Sequence, residues 1–414
     1  MHSFVIRHKN ILYIVLGICL FQGVISDYLR FRQVNYLCDV LLVFLLAVMI
    51  CKNQVKIKKT NKNIEYISIV AFALIVLIGW WLNTFSIPRA LWGTRNYGRF
   101  FLFYLMGKSI WNDEDVAAME NVFLKLFPIH MILIAFQYTV EGLNQDFLSG
   151  LFGKAQGGNG GLMIYLSIVL CIIICQFEYK KISAPKFAGY LLLILVNAAL
   201  SELKFMFILA ILLVVWYLAM SRRKGRGMLL ALFFVIALYI SMQIFYYIFP
   251  FWANYLSFDN IMAMITDQKV YATELDVGRT AVFSKLTPVI TQWAGKPAVL
   301  FGIGLGNGDY SDAIPMLNSA FYNMYGIMHY TWLSLGYLFV EVGYLGTIAY
   351  VSFFVILEMK AIVAYQRKGT YYNLLGTFFP IVFMILIVYN STLRSNFAYM
   401  AFSVLTWQAL AGEK

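Results

Sequence analysis

Charge is scarce in this chain. Asp, Glu, Lys and Arg supply 13% of its 414 residues, while hydrophobic residues reach 61%. A soluble domain carries about a quarter charged residues, so the composition argues against a soluble fold and for a polytopic membrane protein. Cysteine is sparse too: five residues, in or beside apolar runs, with no CxxC pair. That pattern speaks against a thiol redox centre or a zinc site, and Cys171 and Cys175, four apart on one helical face, read as packing. No GxxxxGK[ST] is present, and the glycines at 302, 304, 306 and 308 miss the GxGxxG spacing, so nucleotide binding has no support. No internal repeat with paired interrupted helices is visible, which weakens a transporter reading. The net charge of +12 comes from basic residues scattered between apolar runs. In such a chain they report orientation rather than nucleic-acid binding.

What is there is apolar sequence in lengths that cross a bilayer, about 20 residues each. The expectation is an all-α protein of about twelve spans, near 11–25, 35–51, 65–87, 97–112, 117–138, 161–178, 187–201, 203–220, 228–250, 331–355, 372–390 and 394–411. No small-residue cleavage site follows the first run, so it reads as an uncleaved span. Lysine and arginine clusters follow spans two, six, eight and ten: Lys52–Lys62, Lys180–Lys186, Arg222–Arg226 and Lys360–Lys368. All lie on one side if the count holds, which predicts cytoplasmic termini and an outward loop at 251–330 within a single integral domain, 1–414. The acidic NDEDVAAME after span four fits this scheme least well.

The polar chemistry concentrates at the outer face. Asp276–Arg279 reads DVGR, Leu300–Asp312 reads LFGIGLGNGDYSD, and His329–Gly346 reads HYTWLSLGYLFVEVGYLG. Outward cations are rich in arginine, whose planar fork suits bidentate binding of phosphate. Arg95 and Arg99 stand one helical turn apart and repel unless an anion lies between them, so they are candidate phosphate ligands. Glu202 and Lys204 occupy a tight outer turn at the edge of the hydrocarbon, where ionisable residues are functional candidates. FGKAQGGNGG at Phe152–Gly161 frees the backbone either for a ligand or for motion. His329 opens a helix that carries Glu341, and a neutral imidazole can take a proton from a sugar hydroxyl near pH 7. Glu341 requires a cation or a polar cavity. Asp309 with Asp312 is a weaker candidate for a divalent ion.

In order, the Gly278–Arg279 pair, Leu-Phe-Gly-Ile-Gly-Leu-Gly at 300–306, and His329 followed by Glu341-Val-Gly343-Tyr-Leu-Gly346 resemble the O-antigen polymerase and O-antigen ligase superfamily. Tyr330 and Lys204 stand where that family commonly has Asn and Arg. The resemblance implies a multi-pass protein of the bacterial cytoplasmic membrane. It implies transfer of a glycan from undecaprenyl pyrophosphate to a lipid-linked repeat unit, without nucleotide or metal cofactor. Arg279, with Lys204, Arg95 and Arg99, would hold the pyrophosphate, with Glu202, Gly304 and Gly306 lining the substrate. His329 would act on the acceptor hydroxyl, and Asp276 and Glu341 would orient the catalytic groups. Membrane lipid, a flippase and a chain-length regulator are the partners implied. The alternatives are a ligase acting on lipid A–core and a transporter of lipid-linked oligosaccharide.

Overall fold

The computed structural model describes residues 8–51, 63–155, 158–250, 275–311 and 313–412. Asp312 and positions 251–274 of the expected outward loop lie outside the described residues. Among the described residues there is no strand. The long helices are α1 (His8–Gly23, continued by a π-helical turn to Tyr28), α2 (Val34–Cys51), α3 (Glu65–Leu82), α4 (Ile87–Ile110) and α5 (Asp113–Thr139). They continue as α6 (Gly158–Glu178), α7 (Ala184–Leu200), α8 (Lys204–Met220) and α9 (Lys224–Ile248). Three short helices follow, α10 (Val282–Ala294), α11 (Lys296–Phe301) and α12 (Ala320–Tyr325). The chain ends with α13 (Ser334–Lys368), α14 (Tyr371–Gly376), α15 (Phe379–Tyr389) and α16 (Ala398–Gly412). Eight of the described segments are long and apolar enough to cross a membrane, and α7 and α8 are shorter apolar helices. The protein is a polytopic helical membrane protein in its architecture.

Helix α6 is apolar all round, and its spanning window is buried throughout, as a helix at the centre of a bundle must be. Helices α5, α7, α8 and α16 pack around it. Helices α2, α3, α8 and α9 instead show aliphatic side chains outward, among them Val43, Val70, Leu74, Val215 and Val235. Those rows face the hydrocarbon, where apolar exposure costs nothing. Several charges inside the bundle are paired. Glu65 receives Lys108 and Lys360, each at 2.8 Å, and so ties α3, α4 and α13 together at one end.

The acidic NDED run has a local cause. Asn112 and Asp115 form a capping box, each side chain accepting the other's backbone N–H at 3.0 Å. The carboxylates at the start of α5 also oppose the helix dipole. Asp115 further accepts from Lys9 at 3.0 Å and from the Tyr13 hydroxyl. The acidic run is a helix start, and its charge is partly cancelled by the N-terminal lysine.

Helix α13 breaks at Gly343, which adopts φ 64°, ψ −166° inside an otherwise helical run. The break frees the Val340 and Glu341 carbonyls, which accept from the Ile303 and Gly304 amides at 2.9 and 3.1 Å. The glycine-rich 302–308 segment therefore lies backbone-to-backbone against α13. A side chain at Gly302 would overlap the Glu341 carbonyl, and one at Gly306 would overlap the Arg89 carbonyl. Both glycines have positive φ.

Candidate functional site

At the end of the bundle where α13 begins and α15 ends, the DVGR segment meets the turn before α13. The Val277 amide donates to the Met328 carbonyl at 2.8 Å, and this pins the two segments side by side. His329 is held with φ 52°, ψ 25°, a left-handed conformation that costs a non-glycine residue energy. The result is that its ring leaves the short turns of 3-10 helix on either side and reaches Asp276. The Asp276 carboxylate stands 2.6 Å from His329 Nδ1. Asp276 is buried, with 1% of its side chain accessible, whereas His329 retains 37%. The Trp332 ring stacks on the imidazole with centroids 4.0 Å apart. Lys285 Nζ donates to the Asp276 carbonyl and anchors the loop from behind.

An aspartate accepting from Nδ1–H places the remaining lone pair on Nε2. A buried carboxylate beside a half-exposed imidazole is a proton-accepting arrangement with one open nitrogen. The geometry thus gives one base, oriented by one acid, at an accessible surface.

The same segment carries a cation. Arg279, three residues beyond Asp276, donates from Nε to the Tyr389 carbonyl at 3.0 Å and covers the Tyr389 ring at 4.6 Å. The other face of the connection is made by Phe205, which stacks on Tyr389 at 4.0 Å. Its neighbour Lys204 opens α8 and senses the Arg279 charge. Lys204 pairs with Glu202 at 2.8 Å. Asp146, from the loop before α6, completes this group. Partial desolvation first, and then repulsion from Glu202, push the carboxyl of this surface residue above the ordinary range.

Other residues expected at the site are elsewhere. Glu341 is fully buried, accepts from the Gly306 amide at 2.9 Å and faces Arg394 at 3.4 Å. Glu341, expected to orient His329 or Arg279, is instead placed against Arg394 and the glycine loop. Arg394 also bonds Asp309 at 2.7 Å, and Asn96 reaches the same Asp309 oxygen at 2.6 Å. Asp309 is thus occupied by an arginine, which makes it a poor ligand for a divalent ion. Gly306, expected to line the substrate, is buried against the Arg89 backbone, and Gly304 is buried against Asn307, Trp80 and the Gly79 carbonyl. Arg95 and Arg99 do have an anion between them, but it is Asp39, at 2.7 and 3.0 Å. The two arginines, expected to hold pyrophosphate together with Arg279, form a cluster with Asp39 between α2 and α4.

Sequence reasoning passed over Asp146, Trp332 and Tyr389. Trp332 lies three residues from His329, a spacing that a turn converts to contact. The others meet the site only through tertiary packing and leave no local signal. Among the described residues no group of three or more His, Cys, Asp or Glu side chains could hold a metal ion. Comparison of the chain with protein-family models and with curated proteins returns no match.

Proposed function

We propose that the chain is a membrane glycosyltransferase that polymerises lipid-linked glycan repeat units, using undecaprenyl pyrophosphate as the leaving group on the outer face of a bacterial cytoplasmic membrane. The observation that carries this reading is the His329–Asp276 dyad on the segment that also carries Arg279, whose charge reaches Lys204. A base together with two cations suits attack by a hydroxyl on a carbon that bears a pyrophosphate. The ordered motif resemblance and the one-sided distribution of basic loops support it. In that topology about twelve spans leave both termini in the cytoplasm.

The acceptor hydroxyl oxygen bonds to the anomeric carbon as the bond from that carbon to the pyrophosphate oxygen breaks. His329 Nε2 takes the hydroxyl proton, and the resulting imidazolium is stabilised by the buried Asp276 carboxylate. The electron pair of the broken bond leaves on the pyrophosphate, next to Arg279 and Lys204. Preorganised cations stabilise charge that develops in the transition state more than charge already present in the ground state. Glu202 restrains Lys204 through its ion pair. Transfer to lipid A–core, as a ligase performs it, would use the same chemistry with another acceptor.

The test is reconstitution. Purified protein supplied with an undecaprenyl-pyrophosphate repeat unit and no nucleotide is expected to form a ladder of oligomers. The ladder is expected to vanish in His329→Ala while donor binding persists, because loss of a general base costs about 10²–10⁴ in rate. Undiminished laddering in that variant would remove His329 from the mechanism. Transfer that appears only when a lipid A–core acceptor is added would assign the ligase.

A further inference from the structure

A polar pocket of about 250 Å³ opens at the same end of the bundle, between α1, α2, α4 and the turn at Arg394–Asn396. It is separate from the His329 dyad. Its walls are unusual for a membrane protein because they are built from arginine, amide and indole groups. Arg99 and Arg394 are 7% and 8% exposed, and the Nε of each has no hydrogen-bond partner among the described residues. The same is true of Trp92 Nε1, Gln22 Oε1 and Asn35 Oδ1, all of them buried atoms of residues that line this pocket.

The remaining bonds of the two arginines fix where those atoms stand. Arg99 spends its terminal nitrogens on Asp39 at 3.0 Å, Asn396 at 2.6 Å and the Arg394 carbonyl at 3.1 Å. Arg394 spends Nη2 on Asp309 and Glu341 and rests on the Tyr337 ring at 3.3 Å. Both guanidinium groups are therefore locked by protein on one edge and leave Nε over. Arg95, which also lines the pocket, shares Asp39 with Arg99, while Arg394 meets both Asp309 and Glu341. A buried donor without a partner costs more than a made hydrogen bond returns, and here three donors and two acceptors go unmet around one opening.

We propose that this pocket is a binding site for a small oxyanion carried on a hydroxyl-bearing skeleton, such as a glycerophosphate or a hexuronate unit. Arg99 Nε, Arg394 Nε and Trp92 Nε1 donate to the oxyanion. Gln22 Oε1 and Asn35 Oδ1 accept from hydroxyls, which a bare phosphate lacks. The volume lies below the range of about 300–1,000 Å³ found for drug-sized ligands, so one such unit fits and a longer chain does not. Two sources present this chemistry, the headgroup of an anionic phospholipid and an acidic residue of a glycan.

The test measures binding and does not depend on turnover, so its failure is distinct from failure of the transferase reading. Full-length protein in phosphatidylcholine nanodiscs is titrated calorimetrically with sn-glycerol 3-phosphate and with glucuronate, and with glycerol and methyl glucoside as neutral controls. Saturable binding of either anion is expected, with no binding of the neutral pair. Trp92→Phe keeps the ring and removes the donor, and Gln22→Leu removes an acceptor. Neither group holds a hydrogen bond that the fold needs, so the double variant is expected to keep its melting temperature and to bind at least about tenfold more weakly. Repeating the titration in phosphatidylglycerol nanodiscs separates the sources: lost binding identifies the lipid headgroup as occupant, and retained binding identifies a soluble or glycan-borne anion. Absence of saturable binding, equal binding of the neutral polyols, or unchanged affinity in the double variant would overturn the proposal.

Discussion

Replacing Asp276 with Asn tests the proposed chemistry more sharply than removing the histidine. The substitution preserves size and leaves the backbone bonds of the loop in place, namely Lys285 to the Asp276 carbonyl and Val277 to Met328. What changes is one oxygen, 2.6 Å from His329 Nδ1. A carboxylate can only accept there, so it keeps the proton on Nδ1 and the lone pair on Nε2. An amide can turn its NH2 to Nδ1, which moves the ring proton to Nε2 and makes that nitrogen a donor. The base is then present and in place but in the wrong tautomer. The dyad also loses the charge that stabilises imidazolium. In a serine protease the same exchange lowers kcat about 10⁴-fold. His329 keeps 37% of its side chain exposed, and water there screens part of the carboxylate's effect. A loss of about 10²–10³ is therefore expected, equivalent to about 3–4 kcal/mol in the barrier. The assay is the initial rate of ladder formation at saturating donor, alongside donor binding. Arg279 and Lys204 are untouched, so binding is expected to stay within about threefold. A rate within threefold of wild type in a properly folded Asp276→Asn protein would refute the orienting role, because a wrong tautomer cannot be that nearly silent.

Arg279→Ala is expected to abolish long polymer at unchanged protein level, and Arg279→Lys to restore it only partly, since lysine keeps the charge and loses the planar fork; gel analysis of polymer length decides this. Gly302→Ala is expected to lower the melting temperature and to impair folding, because its Cβ would overlap the Glu341 backbone at a positive φ; a stability equal to wild type would contradict the packing role. For orientation, Met316→Cys is expected to react with an impermeant thiol reagent in intact cells, and Ser183→Cys only after lysis, since 180–186 belongs to a basic loop.

The helices were legible because lipid imposes length and composition together. The apolar runs at 161–178 and 203–220 correspond to α6 and α8, with ends displaced by a few residues at most. The run at 331–355 is the first part of a longer helix, α13, which reaches Lys368 and stops where Gly369 turns left-handed. Hydropathy cannot follow a helix once it leaves the apolar zone. The run at 372–390 divides into α14 and α15 at Thr377–Phe378, ahead of Pro380. The candidate site was partly legible. DVGR and His329 converge because each is a polar segment at the same end of the bundle. The packing of the glycine motif was not legible, because glycine signals only that something approaches the backbone closely. It does not say whether the visitor is a ligand or, as at Glu341, the chain itself. The arginine pair did signal an intervening anion, but Asp39 lies 56 positions from Arg95 and had no local mark.

The left-handed backbone at His329 restricts what could ever take its place. Glycine and asparagine tolerate φ 52° but carry no useful base. Glutamate, lysine and cysteine carry ionisable groups, yet they pay the steric cost of that conformation. Aspartate tolerates the backbone better, but it would set a second carboxylate against the buried Asp276. Each one-step departure from histidine thus meets either a chemical or a conformational barrier, and a conversion to another base would require the Asp276 loop and the 328–333 turn to change together. Divergence of such a site is expected to proceed by loss of activity or by coordinated replacement of both segments, with few viable intermediates between.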